Sequence, residues 1–184
     1  MEKKAKGSLL IDYARMIRSF KNLAWDQYLK PEDWETINSI ILPSQWYPFD
    51  LYYRCSLAAY KLLAQGKLEN AKAYGRSMAK NLLETTYQSI ANKKEPDKGL
   101  RQFVTTYRSL FNFGVLTFDE IDAKHCRIHL DYNVDNEGSI AYCYQLQGML
   151  ETVIEATGGK NGNVVISDKQ WLGAPKTTYD INWE

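Results

Sequence analysis

The chain has 184 residues, of which 45% are hydrophobic and 24% charged, and this ordinary globular composition argues against a disordered protein. Its 23 basic residues nearly balance its 22 acidic residues, so the net charge gives no reason to expect binding to nucleic acid or to an anionic membrane. No segment approaches the roughly 20 apolar residues of a membrane span, and the basic start lacks the apolar run of a secretory signal. We therefore predict one cytoplasmic domain over residues 1–184, of which residues 1–7 need not be ordered.

The first two-thirds of the sequence predicts helices, because apolar residues recur there at spacings of three and four. Gly75 falls inside the longest of these helices. A glycine at such a position costs about 1 kcal/mol relative to alanine, so it indicates the close approach of another backbone. The predicted helices cover residues 8–20, 30–42, 49–64, 67–91 and 100–112.

A proline stands at each end of the segment Pro-Ser-Gln-Trp-Tyr-Pro at residues 43–48. Each proline pushes the residue before it toward extended geometry, so we predict an ordered aromatic turn instead of a helix. Trp46 and Tyr47 either plug the end of the helical layer or form the wall of a pocket or an interface, and the sequence leaves both open. As a core plug, Trp46 replaced by alanine should cost about 3–5 kcal/mol.

After Gly114 the hydrophobic pattern changes from a helical to an alternating period. The predicted fold class is α+β, with a layer of about five N-terminal helices packed on a four-stranded antiparallel sheet and one helix between two hairpins. The predicted strands cover residues 115–118, 124–132, 163–167 and 177–183, and the helix between the hairpins covers residues 139–157.

His125 and His129, with Cys126 and Asp131 nearby, form the only cluster of metal-ligand residue types in the sequence. On a strand, two histidines four residues apart share a face but lie about 13 Å from each other. That separation is too large for both to bind one metal ion. We therefore favour a polar strand surface that is solvated or faces a partner.

Nothing else in the sequence indicates catalysis or a cofactor. Cys55 lies among apolar residues of a predicted helix, as a buried core cysteine would. With Cys126 and Cys143 it forms no Cys-x-x-Cys pair, which argues against a disulfide framework and a structural zinc site. The glycines at residues 158–159 follow a helix instead of preceding one, which argues against a phosphate-binding loop. We predict no catalytic residue, no metal and no cofactor.

Aromatic residues and glycines make a recognisable pattern in the second half. It runs Tyr-x-Tyr-x-Leu-x-Gly-Met-Leu-Glu at 142–151, Gly-Gly at 158–159, Asp-Lys-Gln-Trp-x-Gly at 168–173 and Tyr-x-Ile-x-Trp at 179–183. This pattern resembles the C-terminal half of the 4-vinyl-reductase-type domain, whose superfamily includes haem nitric-oxide-binding domains and the core subunits of the TRAPP transport complex. The first half is similar to an uncharacterised bacterial family that is abundant in myxobacteria, in residues 43–48, in Tyr-Gly-Arg at 74–76 and in Gly-Val-Leu at 114–116.

The resemblance implies a helical layer on a twisted four-stranded sheet, a hydrophobic pocket, and a role as a sensory or interaction module that often dimerises through helices. Trp171 and Thr178 stand where the 4-vinyl-reductase-type domain has cysteines, so a metal or thiol function of that pair is not expected here. The haem-binding relatives use a histidine on a helix and a Tyr-x-Ser-x-Arg motif, and this sequence has neither.

The function that we predict is a non-catalytic regulatory or sensory module for a hydrophobic small molecule or a protein partner. A surplus of aromatic residues, 13 Tyr, 6 Phe and 5 Trp, favours a binding surface. The alternative is a self-associating scaffold, a homodimer formed through Trp25, Trp34 and the helix face that carries Gly75, and a haem or metal sensor at His125 or His129 is the third candidate. The hydrophobic pocket is expected between the helices and the sheet, lined by Trp46, Tyr47, Phe49, Tyr53, Tyr74, Phe111 and Phe118.

Overall fold

The structure is a computed structural model that describes residues 2–85 and 87–184. Its residues group into two compact units that are each discontinuous in sequence. The first unit contains the chain up to Asn70 together with Ser109–Phe113, and the second contains Ala71–Arg108 and Gly114–Glu184. A single domain over residues 1–184 stays a prediction.

The first unit is built from helices around a short strand pair. Two short strands, β1 (Lys4–Lys6) and β2 (Trp46–Pro48), run antiparallel with Ala5 opposite Tyr47. This pairing gives the start of the chain a defined structure, in contrast to the disorder allowed from sequence, while Met1 lies outside the described residues. The elements are β1 (Lys4–Lys6), α1 (Gly7–Ser19), a 3₁₀ turn (Trp25–Gln27), α2 (Pro31–Ile37), β2 (Trp46–Pro48) and α3 (Phe49–Leu62).

A distant segment completes the strand pair of the first unit. The backbone N–H of Lys4 donates to Asn112 Oδ1 at 2.6 Å, and the backbone N–H of Asn112 donates to the carbonyl of Lys4 at 3.2 Å. Ala5 also forms an antiparallel bridge with Phe111. Residues more than one hundred positions apart in the chain therefore close this side of the unit.

Helix α2 ends at Ile37, five residues before the predicted end at residue 42. The Ser39 hydroxyl donates to the carbonyl of Thr36 at 2.9 Å, which supplies that carbonyl with a partner outside the helical ladder. Ile40 and Leu42 are then 87% and 53% exposed. Of the apolar residues that extended the predicted helix, Ile40 and Leu42 therefore lie on the surface, whereas Ile41 between them is buried.

Asp33 is buried at 3% exposure and fixes α2 to α3. Arg54 of α3 donates to its two carboxylate oxygens at 2.7 and 2.6 Å, and the backbone N–H of Lys30 donates to Oδ2 at 2.8 Å. Burial raises the pKa of Asp33, but the hydrogen bonds from Arg54 and Lys30 outweigh burial and hold that pKa below its usual value. The carboxylate therefore stays ionised and paired.

The second unit contains a four-stranded antiparallel sheet made of β3 (Val115–Asp122), β4 (His125–Asp131), β5 (Asn163–Asp168) and β6 (Thr177–Asn182), and the strands lie in the order β3-β4-β6-β5. The predicted α+β class and the four antiparallel strands are confirmed, although the detail of five N-terminal helices is not. The predicted helix 67–91 consists of two helices, and Thr86 between them lies outside the described residues. The elements are α4 (Leu68–Glu84), α5 (Gln88–Ala91), α6 (Pro96–Leu110), β3 (Val115–Asp122), β4 (His125–Asp131), α7 (Glu137–Ala156), β5 (Asn163–Asp168) and β6 (Thr177–Asn182).

Helices α4 and α7 approach each other through glycine. A Cβ atom on Gly75 would lie 2.0 Å from the carbonyl oxygen of Gln145, and one on Gly148 would lie 2.1 Å from the carbonyl oxygen of Lys72. The close backbone approach predicted at Gly75 is confirmed. Next to this crossing, the buried carboxylate of Glu151 accepts from Lys72 Nζ at 2.6 Å and from Arg76 Nε at 2.8 Å.

In the part of the chain that the structure describes, no helix has both the length and the apolar character that crossing a membrane requires.

Candidate functional site

Aromatic rings of the first unit pack on one another in a cluster around Phe49. Its ring centroid lies 4.6 Å from that of Phe113 and 6.2 Å from that of Phe111, both edge-on. Tyr52 and Tyr53 of α3 lie 5.8 and 6.4 Å from the same ring. These distances are those of favourable aromatic pairs. Phe49, Tyr53 and Phe111 from the predicted pocket lining are thus brought together.

Trp46 and Tyr47 have different environments, although both were expected to be held by the flanking prolines. Tyr47 is 9% exposed, and its hydroxyl accepts from the backbone N–H of Leu42 at 3.0 Å. Trp46 is 39% exposed, and the ammonium of Lys6 lies 4.0 Å from its ring centroid. Tyr47 is therefore the core plug of this turn, and Trp46 is a surface ring covered by a cation.

Tyr74 and Phe118, the other two predicted lining residues, belong to the second unit. Both are half-buried. The guanidinium carbon of Arg101 lies 4.1 Å from the ring centroid of Phe118, so a cation covers this ring as well. The pocket lining as a set stays a prediction.

The second unit also contains a partly buried tyrosine cluster that the sequence pattern did not indicate as a candidate site. The hydroxyl of Tyr142 donates to that of Tyr107 at 3.0 Å, and the ring of Tyr132 lies edge-on to Tyr142 at 6.0 Å. The hydroxyl of Tyr179 donates to the backbone carbonyl of Cys143 at 2.9 Å. Burial raises the pKa of both Tyr107 and Tyr179 above the usual value, so these phenols stay protonated. Tyr107 shares the apolar face of its helix with Phe103. This spacing of four residues was the signal in the sequence that could have indicated the burial of Tyr107.

Both histidines lie on β4, and their rings bond to neighbouring strands. His125 Nε2 lies 2.8 Å from Asp180 Oδ1. His129 lies 2.9 Å from Thr178 Oγ1 through Nδ1 and 3.0 Å from Asp119 Oδ2 through Nε2. The predicted polar strand surface is confirmed. Within residues 2–85 and 87–184, no group of three or more His, Cys, Asp or Glu side chains is placed to hold a metal ion.

Asp180 joins the histidine surface to a cation. Arg127 Nε donates to its Oδ2 at 2.9 Å. The hydrogen bond from Arg127 holds the pKa of Asp180 below its usual value, against the opposing effect of burial and with the help of His125. The carboxylate is thus ionised between two donors.

The three cysteines are buried and free. Burial raises the pKa of each thiol to about 12, so none is a thiolate at neutral pH and none is an activated nucleophile. Cys55 is a core cysteine, as predicted. The other two are Cys126 and Cys143.

The helix surface predicted for dimerisation is largely internal. Trp25 is 1% exposed, and its indole N–H donates to the carbonyl of Phe20 at 2.7 Å. The face of α4 that carries Gly75 is occupied by α7 of the same unit. Trp34 is half-buried and donates to Asp26 at 2.9 Å. An interface centred on Trp25 and Gly75 is therefore wrong, because both positions are already filled.

An open groove of about 340 Å³ lies at the end of β5. Leu172 stands at its rim with 76% of its surface exposed. The groove is lined by Ile166, Ser167, Asp168, Lys169, Leu172 and Ala174.

Residues 38–184 match the model of the family described as "Protein of unknown function (DUF2378)". The chain belongs to this family. No curated protein matches the chain. The match covers β2 through β6 and so includes both the aromatic turn and the sheet of this DUF2378 chain.

Solved structures of H-NOX proteins share the fold over nearly the whole chain. The H-NOX protein from S. oneidensis in the Fe(II)NO state matches with a TM-score of 0.68 and 10% identity, over 97% of this chain and 99% of that one. The Fe(II) unliganded H-NOX protein from K. algicida matches with a TM-score of 0.64 and 10% identity, over 97% and 96%. An oxygen-binding H-NOX domain related to soluble guanylate cyclases matches with a TM-score of 0.61 and 14% identity, over 97% and 95%. The predicted resemblance to haem nitric-oxide-binding domains is thus confirmed for the fold, while the relation to the 4-vinyl-reductase-type domain, TRAPP subunits and the myxobacterial group stays a prediction.

The histidines, the thiols and the two most buried tyrosines of this chain are not placed as axial ligands of a haem. A haem iron needs an axial histidine, thiolate, methionine or tyrosinate. His125 and His129 lie on a strand and are bonded to Asp180, Thr178 and Asp119. The thiols and the two most buried phenols of the tyrosine cluster are kept protonated by burial. No Tyr-x-Ser-x-Arg motif occurs in the sequence.

Proposed function

We propose that this protein is a non-catalytic sensory module that binds a hydrophobic small molecule or a protein partner without haem. The H-NOX-like fold, which spans 97% of the chain, is the observation that carries the proposal. The cysteine and histidine side chains support a role without catalysis. The three thiols are kept protonated by burial, and the imidazoles of His125 and His129 are hydrogen-bonded within the sheet surface.

The aromatic residues are the proposed ligand contacts. Large rings provide apolar area at a low cost in conformational entropy, and they dominate the energetics of pockets. Trp46 and Tyr53 are only partly buried, so they retain surface that a ligand can cover. The full proposed set is Trp46, Tyr47, Phe49, Tyr53, Tyr74, Phe111 and Phe118.

Native mass spectrometry of freshly purified protein tests the proposal, because it reports bound small molecules directly. We expect a stoichiometric adduct on the wild-type chain and its loss in Tyr53→Ala. Trp34→Ala is the matched control, since Trp34 is also a half-buried aromatic side chain but lies outside the proposed set. A ligand that binds the native state also raises its stability by RT ln(1 + [L]/Kd). A wild-type protein that carries no adduct and that no hydrophobic compound stabilises would contradict the proposal that the ligand is a small molecule.

A haem-dependent gas sensor is the second candidate, favoured by the fold neighbours and opposed by the donor groups of this chain. Reconstitution with hemin separates the two. We expect no stoichiometric Soret band, because both histidines are hydrogen-bonded within the sheet surface and burial keeps the three thiols protonated. A band that disappears in His125→Ala or His129→Ala would establish the haem candidate in place of the first.

A further inference from the structure

The loop between α2 and β2, residues 38–45, presents two large aliphatic side chains to solvent. Ile40 is 87% exposed and Leu42 is 53% exposed, whereas Ile41 between them is buried. Ile41 therefore fixes this apolar loop to the first unit while its two neighbours project outward. Residues 36–49 contain no charged side chain, in a chain that is 24% charged. Exposed apolar side chains that occur together indicate a surface that meets another apolar phase.

The strand pair beside the apolar loop adds an indole ring and two ammonium groups. Lys6 lies opposite Trp46 in the antiparallel pair, and Lys4 lies two residues away on the same face. This is the outer face of the pair, because the alternating residues Ala5 and Tyr47 are buried. The Lys6 ammonium lies 4.0 Å from the centroid of the Trp46 ring. Aliphatic side chains, an indole and cations are thus neighbours on one surface of the first unit.

The backbone of the apolar loop makes its hydrogen bonds inward. The carbonyl oxygens of residues 42–45 each accept a hydrogen bond from another group of the protein. In chain order the donors are the backbone N–H groups of Gln45 and Ser8, the Lys6 ammonium and the backbone N–H of Gly7, at 3.2, 3.0, 2.6 and 2.9 Å. Water can satisfy the carbonyls of an ordinary surface loop, whereas lipid cannot. The apolar loop therefore meets the condition for contact with an environment that is poor in water.

We propose that the apolar loop, Trp46 and the lysines of β1 dock this protein on the surface of a membrane that contains anionic phospholipid. Ile40 and Leu42 enter the boundary between head groups and acyl chains. The indole lies at the level of the head groups, where tryptophan is enriched. This interaction goes beyond the proposed binding of a ligand or partner and does not depend on it.

The charge on this surface fits an anionic membrane although the net charge of the whole chain is only +1. Attraction to anionic lipid depends on the charges close to the membrane, because salt screens those farther away. Residues 2–8 contain three lysines and one glutamate. Glu2 pairs with Lys4 at 3.2 Å and offsets one of these charges. The surface therefore keeps a local positive charge next to the aliphatic side chains.

The size and bonding of the surface favour lipid over a second copy of the chain or another protein. A stable protein interface buries about 800 Å² on each partner and forms about one hydrogen bond per 100–200 Å². The exposed parts of Ile40, Leu42 and Trp46 fall short of that area, and the carbonyls of the apolar loop already have donors. A membrane receives protruding apolar side chains without a complementary shape or new hydrogen bonds.

Co-sedimentation with vesicles of phosphatidylcholine, alone or mixed with phosphatidylserine, tests the apolar part of the surface. Ile40→Asp places a charge at the tip of the apolar loop. Leu172→Asp is the matched control, since Leu172 is 76% exposed but belongs to the second unit. We expect the wild type and Leu172→Asp to bind the mixed vesicles equally. We expect Ile40→Asp, with an unchanged circular dichroism spectrum, to bind them about tenfold more weakly, because it loses the aliphatic contact.

Three results would overturn the proposal. A wild type that does not sediment with the mixed vesicles is the first, and an equal loss of binding in Ile40→Asp and Leu172→Asp is the second. The third comes from light scattering without lipid. A wild type with twice the chain mass and an Ile40→Asp protein with a single chain mass would assign this surface to a second copy instead.

The electrostatic part of the surface has its own variant and control. Lys6→Gln removes one charge but keeps a side chain that can donate to the carbonyl of Ser44. One lysine near an anionic membrane contributes about 1 kcal/mol, which is about fivefold in binding. We expect that loss for Lys6→Gln on the mixed vesicles, and no loss for Lys176→Gln, an exposed lysine of the second unit. Equal binding of the wild type to vesicles of phosphatidylcholine alone, or binding that added salt does not weaken, would refute the requirement for anionic lipid.

Discussion

The glycine crossing of α4 and α7 makes Gly148→Ala a sharp test of the packing. On an exposed helix this substitution would stabilise the protein by about 1 kcal/mol through helix propensity. Here the added Cβ atom would lie 2.1 Å from the carbonyl oxygen of Lys72, so one backbone has to move by more than an ångström. Overpacking of this kind costs about 1–3 kcal/mol and occasionally more, and the contact with backbone places this case at the upper end.

We expect a net loss of about 2 kcal/mol in the free energy of unfolding of Gly148→Ala, after the propensity gain is subtracted from the packing cost. For a chain of this length that corresponds to a fall in melting temperature of roughly 4–8 °C. Urea unfolding followed by circular dichroism measures the difference. Ser77→Ala, on the exposed face of α4, is the control and should be neutral or slightly stabilising. A Gly148→Ala protein as stable as the wild type would refute the close crossing.

Three further outcomes follow from the buried ionisable groups and the aromatic turn. Asp33→Asn should lower the free energy of unfolding by about 3 kcal/mol at pH 7, because Arg54 loses its partner. Since the native pKa of Asp33 is lowered, the advantage of the wild type over this variant is complete above pH ~4 and shrinks as the pH falls below that value. Urea unfolding of both proteins at pH 7 and below pH ~4 measures the difference. Trp46→Ala should lower the free energy of unfolding by less than about 1 kcal/mol, and Tyr47→Ala by about 3 kcal/mol, because Trp46 is 39% exposed and Tyr47 is 9% exposed. Chemical denaturation measures both losses, and a larger loss for Trp46→Ala than for Tyr47→Ala would contradict the assignment of Tyr47 as the plug. A thiol reagent at pH 8 should leave Cys55, Cys126 and Cys143 unlabelled in the native protein, because burial raises the pKa of each thiol to about 12. In urea the same reagent should label all three cysteines. Rapid labelling of the native protein would argue against their burial.

Local patterns predicted most helices and strands of the fold, because the spacing of apolar residues that distinguishes a helix from a strand is contained within each segment. The alternation of Cys126, Ile128 and Leu130 with polar neighbours identified β4 and the face of its histidines. Gly75 indicated a backbone contact because a mid-helix glycine needs a compensating reason. In these cases the residues that determine the structure lie close together in the chain.

Features that depend on distant partners were not predictable in this way. The exposure of Trp46 could not be seen from its flanking prolines, because the covering cation is Lys6, forty residues earlier. The tyrosine cluster joins α6 to α7 through Tyr107 and Tyr142, and neither residue departs locally from an ordinary helical pattern. The expected dimer surface failed for the same reason, since burial of Trp25 is decided by the packing around it.

The bond between Lys4 and Asn112 has a consequence for how the protein is made. During synthesis β1 leaves the ribosome long before Phe111 and Asn112, so its contacts with these two residues cannot form until they have been translated. Long-range contacts of this kind slow folding because chain closure must precede them. A fragment that stops at Asn70 would lack the Phe111 and Phe113 rings of the aromatic cluster. The first unit is therefore completed late, and dissection of this protein into consecutive halves would break it.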